Sequence, residues 1–162
     1  MKQEKGIEQS IGLKGVWKVT IRDAETNKIK RTYEFLNIVP TVARTMIANN
    51  FSNVSPTNTM LINYFAVGSG TTAVANGDTT LETETYRNAL ASRTSSSNIV
   101  YATGFLSATE DSGTYYEAGI FSDATGSADS GILVSHVLLN APTGITKSLT
   151  ETLTIDWTLT IS

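Results

Sequence analysis

His136 is the only histidine of the chain, and no cysteine accompanies it. Catalysis or metal binding would therefore have to rest mainly on carboxylates and hydroxyls. A multi-histidine zinc site is excluded, and so are the usual thiolate structural zinc sites. Disulfides and thiolate nucleophiles are absent with the cysteines. Ser135 precedes His136 directly, but adjacent residues of a strand point to opposite faces, and no G-x-S-x-G nucleophile elbow occurs. His136 lies within the apolar run GILVSHVLLN, where a packed or edge histidine is expected rather than a ligand.

The remaining candidates are weaker in type or spacing. VGSGTT (Val67 to Thr72) has the glycines of a phosphate loop but not the lysine and following helix that would put charge and N–H groups on a phosphate. It reads as a strand-ending turn. Asp123 and Asp129 offer oxygen ligands for calcium without EF-hand spacing. Glu82, Glu84, Glu110 and Asp111 supply carboxylates, yet nothing in their spacing makes two of them an acid/base pair. Trp17, Tyr115, Tyr116 and Trp157 could stack on sugar rings, although both tryptophans fall at inward positions of alternating strands, where core packing is expected. Glu117, in YYEAGIF, shares a strand face with Tyr115, Gly119 and Phe121 in this reading. Buried there, its charge needs a partner, and Arg87 in LETETYRNAL is the preferred one.

The elements that must position these groups are mostly strands. In LTETLTIDWTLTIS the residues Leu149, Leu153, Ile155, Trp157, Leu159 and Ile161 alternate with threonines and Asp156. That is the period of a strand with one buried face, interrupted only by Glu151. GVWKVTI and KIKRTYEFL read as a hairpin joined at Asp23 to Asn27. LINYFAV, NIVYATGFLSA, TYYEAGIFSD and GILVSHVLLN read as four more strands. Pro40 opens the one convincing helix, PTVARTMIANNF, with Val42/Met46 and Ala43/Ile47 as i,i+4 pairs. TLETETYRNAL is compatible with a short helix or an extended segment.

The pattern predicts a mainly β protein, an antiparallel β-sandwich or jelly-roll-like domain over residues 14–162, with one short helix at about residues 40–51. Residues 1–13 are polar and aperiodic and read as an extended, flexible N-terminal arm, either a floppy end or a tether laid across a neighbouring subunit. The length of 162 residues fits one domain with a real core. Charged residues are only 17%, and the net charge is -3, which argues against nucleic-acid binding. No apolar run is long enough for a membrane span or a signal peptide, so no membrane partner is expected. Nothing in the residues calls for a cofactor, and no catalytic residue is assigned.

The order VGSGTT, TTLETETYR, TYYEAGIFSD, ILVSHVLLN, Lys147 and a closing TLTIDWTLTIS resembles a family of tailed-bacteriophage virion proteins from about residue 61 to the end. An opening hairpin that ends in a phrase similar to EFLNIV, followed by a helix, extends the likeness. The resemblance implies a non-enzymatic virion structural role in a protein assembled in the host cytoplasm. Its partners would be other virion proteins, the major capsid protein or tail proteins. A capsid decoration (cement) protein fits the short chain. A tail, neck or collar adaptor, or a receptor- or glycan-binding β-sandwich module of the tail, is the alternative. Homo-oligomers, a trimer first among them, suit such modules. Trp157 is the expected core anchor, and Thr154 and Thr158 the expected assembly surface.

Overall fold

The computed structural model describes residues 12–52 and 58–162. Among the described residues eleven strands and one helix follow in the order β1 (Leu13–Asp23), β2 (Ile29–Asn37), α1 (Thr41–Ser52), β3 (Ile62–Gly68), β4 (Glu84–Ala89), β5 (Ser92–Ser96), β6 (Ile99–Leu106), β7 (Gly113–Tyr115), β8 (Glu117–Ser122), β9 (Ile132–Leu138), β10 (Ile145–Lys147) and β11 (Glu151–Ile161). All strand pairings are antiparallel, and the architecture is β-sandwich-like. A five-stranded sheet has the order β2-β1-β11-β6-β5, a four-stranded sheet the order β4-β3-β8-β9, and β10 pairs with β7.

The closing strand lies at the centre of the larger sheet, with β1 on one side and β6 on the other. Its apolar row meets the apolar row of β1 in register, so Trp17 stands directly opposite Trp157 and Val19 opposite Ile155. These side chains are essentially fully buried and pack against Phe65, Ile120 and Val137 of the smaller sheet. Two rows of period two, facing one another, thus make the main core. Indole N–H groups inside such a core need acceptors. Trp17 donates to Ser135 Oγ at 2.8 Å and Trp157 to Asn37 Oδ1 at 3.2 Å.

The smaller sheet is covered on its other face as well. Ala66, Phe121 and Leu133 form a second cluster there with Leu81 from the loop before β4, and Val42 of α1 packs against it. Strands buried on both faces lose their alternation, which is why Glu117–Ser122 is buried at every position. The helix begins one residue later than its proline: the Pro40 carbonyl accepts the N–H groups of Ala43 and Arg44 (3.1 and 3.3 Å), so Pro40 is the cap. TLETETYRNAL is extended, and its second half is β4.

The structure departs from the sequence reading at three places. The expected strand TYYEAGIFSD is broken at Tyr116, whose N–H bonds to the Gly68 carbonyl at 2.8 Å while its carbonyl accepts Leu139 N–H at 2.8 Å. Tyr115 therefore belongs to a strand paired with β10, and Glu117 to one between β3 and β9, so the two share no continuous strand face. Two short strands, β5 and β10, are additional. The expected arm is shortened, because Gly12 and Ser162 exchange backbone bonds and Leu13 already pairs with Ile161. The rest of that arm, residues 1–11, lies outside the described residues.

Candidate functional site

Glu117 opens β8 with its side chain 1% exposed. The chain after β3 crosses over this carboxylate and returns to β4, its ends joined where Ser69 N–H meets the Thr83 carbonyl at 2.9 Å. Glu117 Oε1 accepts N–H bonds from Gly70 (3.1 Å) and Thr83 (2.8 Å), and Oε2 accepts that of Glu82 (3.0 Å). A fourth bond joins Oε2 to His136 Nε2 at 2.9 Å. The glycines of VGSGTT therefore do cradle an anion, and the anion is the protein's own carboxylate. They must be glycines because a Cβ on Gly68 would stand 2.5 Å from the Thr83 carbonyl and 2.7 Å from Glu117 Oε1, and one on Gly70 would also press on Oε1.

His136 stands opposite Gly119 on β9, diagonal to Glu117 on the same face of the sheet. Its second nitrogen, Nδ1, lies 2.7 Å from Asp78 Oδ2. A neutral imidazole has a single N–H and would turn a lone pair toward one of these carboxylates; only the imidazolium donates to both. Burial opposes that charge, but the hydrogen bonds to Glu117 and Asp78, with their charges, outweigh it and hold the His136 pKa above its ordinary value. Burial likewise pushes the Glu117 pKa up, and the bonds from His136 and the Thr83 and Glu82 N–H groups overcome it, leaving the carboxyl below its usual range. The result is an Asp78–His136–Glu117 hydrogen-bonded chain in which His136 and Glu117 are buried, Asp78 is partly exposed and both ring nitrogens are occupied. A cavity of about 320 Å³ beside it is lined by Thr72, Gly77, Asp78, Thr80, Glu82 and His136. With both ring nitrogens occupied, the imidazole has no lone pair free to take a substrate proton.

The Arg87–Glu117 pair expected from the sequence does not form. Arg87 instead grips Glu84 through two bonds, Nε–Oε1 at 2.6 Å and Nη2–Oε2 at 2.7 Å, with both side chains buried. Its Nη1 donates to the Thr125 and Ser130 carbonyls, and its guanidinium carbon lies 4.6 Å from the centroid of the Phe121 ring. β3 separates β4 from β8, and Glu117 already has its acceptor positions filled by the loop and His136. Four other candidate carboxylates accept structural hydrogen bonds: Glu82 from Thr72, Glu110 from Ser107 and Asn88, Asp111 from Tyr115, and Asp123 from Thr59. Among the described residues no group of three or more His, Asp or Glu side chains is arranged to hold a metal.

Two buried charges were not legible in the sequence. Lys147 is 1% exposed, its ammonium donating to the Glu110 and Asp111 carbonyls at 2.8 Å each. Glu151, the break in the apolar row, meets Lys30 at 2.8 Å and Arg31 at 3.0 Å. Burial would raise the Glu151 pKa; the Lys30 contact, the Ser148 N–H and the Arg31 charge bring it down to about 2.

Thr154 and Thr158 point away from the core on the outer face of the five-stranded sheet. Strand register sorts that face into rows. One row reads Leu36, Val16, Thr158, Tyr101; the next Glu34, Lys18, Asp156, Thr103; the third Thr32, Thr20, Thr154, Phe105. Leu36, Tyr101 and Phe105 are exposed, Leu36 by 71%. Trp17, Tyr115 and Trp157, in contrast, are buried to within 2% and present no ring to a sugar. Compared with models of protein families, with curated proteins and with solved structures, the chain matches none.

Proposed function

We propose that this chain is a structural protein of a tailed-bacteriophage virion, a capsid decoration protein that stabilises the shell through protein–protein contacts. One observation carries the reading: the outer face of the five-stranded sheet sets exposed Leu36, Tyr101 and Phe105 among threonines in the two rows beside the Lys18–Asp156 row, with Lys14 and Arg22 only in the end rows. Apolar area and neutral hydroxyls can be covered by a partner without the desolvation cost of burying many charges. The polar groups inside the fold support the same reading, since His136, Glu117, Arg87 and Lys147 each hold a loop or strand in place. The motif order shared with tailed-phage virion proteins points in that direction too.

The test is binding to pre-formed empty capsids. Stoichiometric, saturable loading of purified protein onto such shells is expected. Loading onto isolated tails in its place, or capture by cell-surface sugars on an array, would transfer the role to the tail adaptor or the glycan-binding module.

A further inference from the structure

At its centre the outer face of the five-stranded sheet carries one pair of opposite charges, Lys18 and Asp156, that a two-fold can set against each other, while Lys14, Arg22 and Glu34 stand beside threonines toward its margins. Lys18 on β1 and Asp156 on β11 are cross-strand partners at the same height in the sheet, in the middle row of the face. The row above holds Leu36 and Tyr101, and the row below Thr32 and Phe105, on the flanking strands β2 and β6. We propose that this face packs against a second copy of the chain about a two-fold axis running parallel to the strands, in the groove between β1 and β11. The proposal rests on the reading of this face as an assembly surface and names its occupant.

The axis follows from the chemistry. In the groove between β1 and β11 it lays β1 of one copy over β11 of the other, so Lys18 of each copy faces Asp156 of its mate. The same operation lays β2 over β6, setting Leu36 against Tyr101 and Thr32 against Phe105. Moving the axis onto β11 would set Asp156 against itself, and turning it along the row would set Lys18 against Lys18. Only the groove axis sets Lys18 of each copy against Asp156 of the other, with Glu34 facing Thr103, and it makes an isologous, closed contact. Sheets stacked face to face lie about 10 Å apart with strands rotated by about 30°, a gap that a lysine can bridge to an aspartate. Rotation displaces a central row least, and Lys18 and Asp156 are in that row. Five strands about 4.8 Å apart and roughly 30 Å long present about 700 Å² of face, close to the ~800 Å² per partner of a stable interface.

Sedimentation velocity over a wide concentration range tests this with the full chain. The wild type is expected to reach twice its 17.4 kDa mass. Lys18→Asp and Asp156→Lys should each weaken dimerisation about tenfold or more, because each places like charges in the middle row. Mixed in equal amounts, the two variants should form a dimer containing one of each, an outcome that changes within one chain cannot produce. Phe105→Lys gives an independent reading of the same face without altering the charged pair. A wild type that stays monomeric or forms a trimer overturns the proposal, as does a dimer indifferent to these substitutions or a mixture that fails to pair. Loading on empty capsids separates the two readings: a monomer that loads sinks the dimer alone, and a dimer that never loads sinks decoration alone.

Discussion

His136 Nε2 and Glu117 Oε2 lie 2.9 Å apart beneath a loop that contributes three of its backbone N–H groups to the same carboxylate. Neither side chain is more than 4% exposed. The pair ties β8, β9 and the whole 69–83 crossing into one unit, with Asp78 completing the bond from the loop side. A charge buried in this way stabilises only while every partner is present.

Removing either partner should therefore be costly. His136→Ala and Glu117→Ala are each expected to lower unfolding free energy by about 3–5 kcal/mol, since each strands a buried group. A double-mutant cycle between them, measured by urea denaturation, should show coupling of about 1–3 kcal/mol. The cycle between Arg87 and Glu117 should be additive to within about 0.5 kcal/mol, because the two share no hydrogen-bond partner.

Stability should peak in mildly acidic solution. His136 has its pKa raised from 6.5, so its contribution is complete below that value and disappears as pH rises through the folded pKa. Glu117 and Glu151 have theirs lowered from 4.5, so their contributions are complete above that value and decline as pH falls below it, Glu151's being lost by about pH 2. The window of greatest stability for these groups is thus about pH 4.5–6.5. Denaturation midpoints across pH would check it, and His136→Gln should flatten the alkaline limb.

The glycines of the loop should differ sharply. Gly68→Ala brings a methyl within 2.7 Å of the Glu117 carboxylate and 2.5 Å of a backbone carbonyl, and a loss of about 1–3 kcal/mol is expected. Gly77→Ala meets nothing within 4 Å and should stay within about 0.5 kcal/mol of the wild type. Thermal melts of the two variants, with proteolysis across residues 69–83, separate these outcomes.

Thr154→Lys and Thr158→Lys should leave the fold intact, because both side chains face outward from a strand held on both sides. They should nevertheless reduce capsid occupancy. Deleting residues 1–11, the part of the expected tether outside the described residues, should weaken loading while leaving the free protein folded. Particle composition by quantitative gel, alongside circular dichroism of the free variants, measures both effects.

The class of fold was legible because alternation is a local property. Trp17, Val19 and Ile21, or Leu153, Ile155 and Trp157, bury one face of a strand whatever lies elsewhere in the chain, and the outward row of threonines follows from the same period. The short strand Ser92–Ser96 carried no such mark: it is exposed throughout and is a strand only because β6 offers its edge. The break at Tyr116 was hidden for the opposite reason, as the apolar run continues through it while the backbone changes partner.

Of the candidate site, the sequence by itself determined that Glu117, buried in an apolar strand, must be neutralised, and that the VGSGTT glycines mark a tight backbone path. Which groups meet was decided by the tertiary structure alone. Asp78 lies 58 residues and Glu117 19 residues from His136 in the chain, and Arg87 was drawn to Glu84 on its own strand. Burial can be read from local pattern because it depends on which way a side chain points. Pairing cannot, because a buried charge selects its partner by distance, and distance exists only once the loop has closed over the sheet.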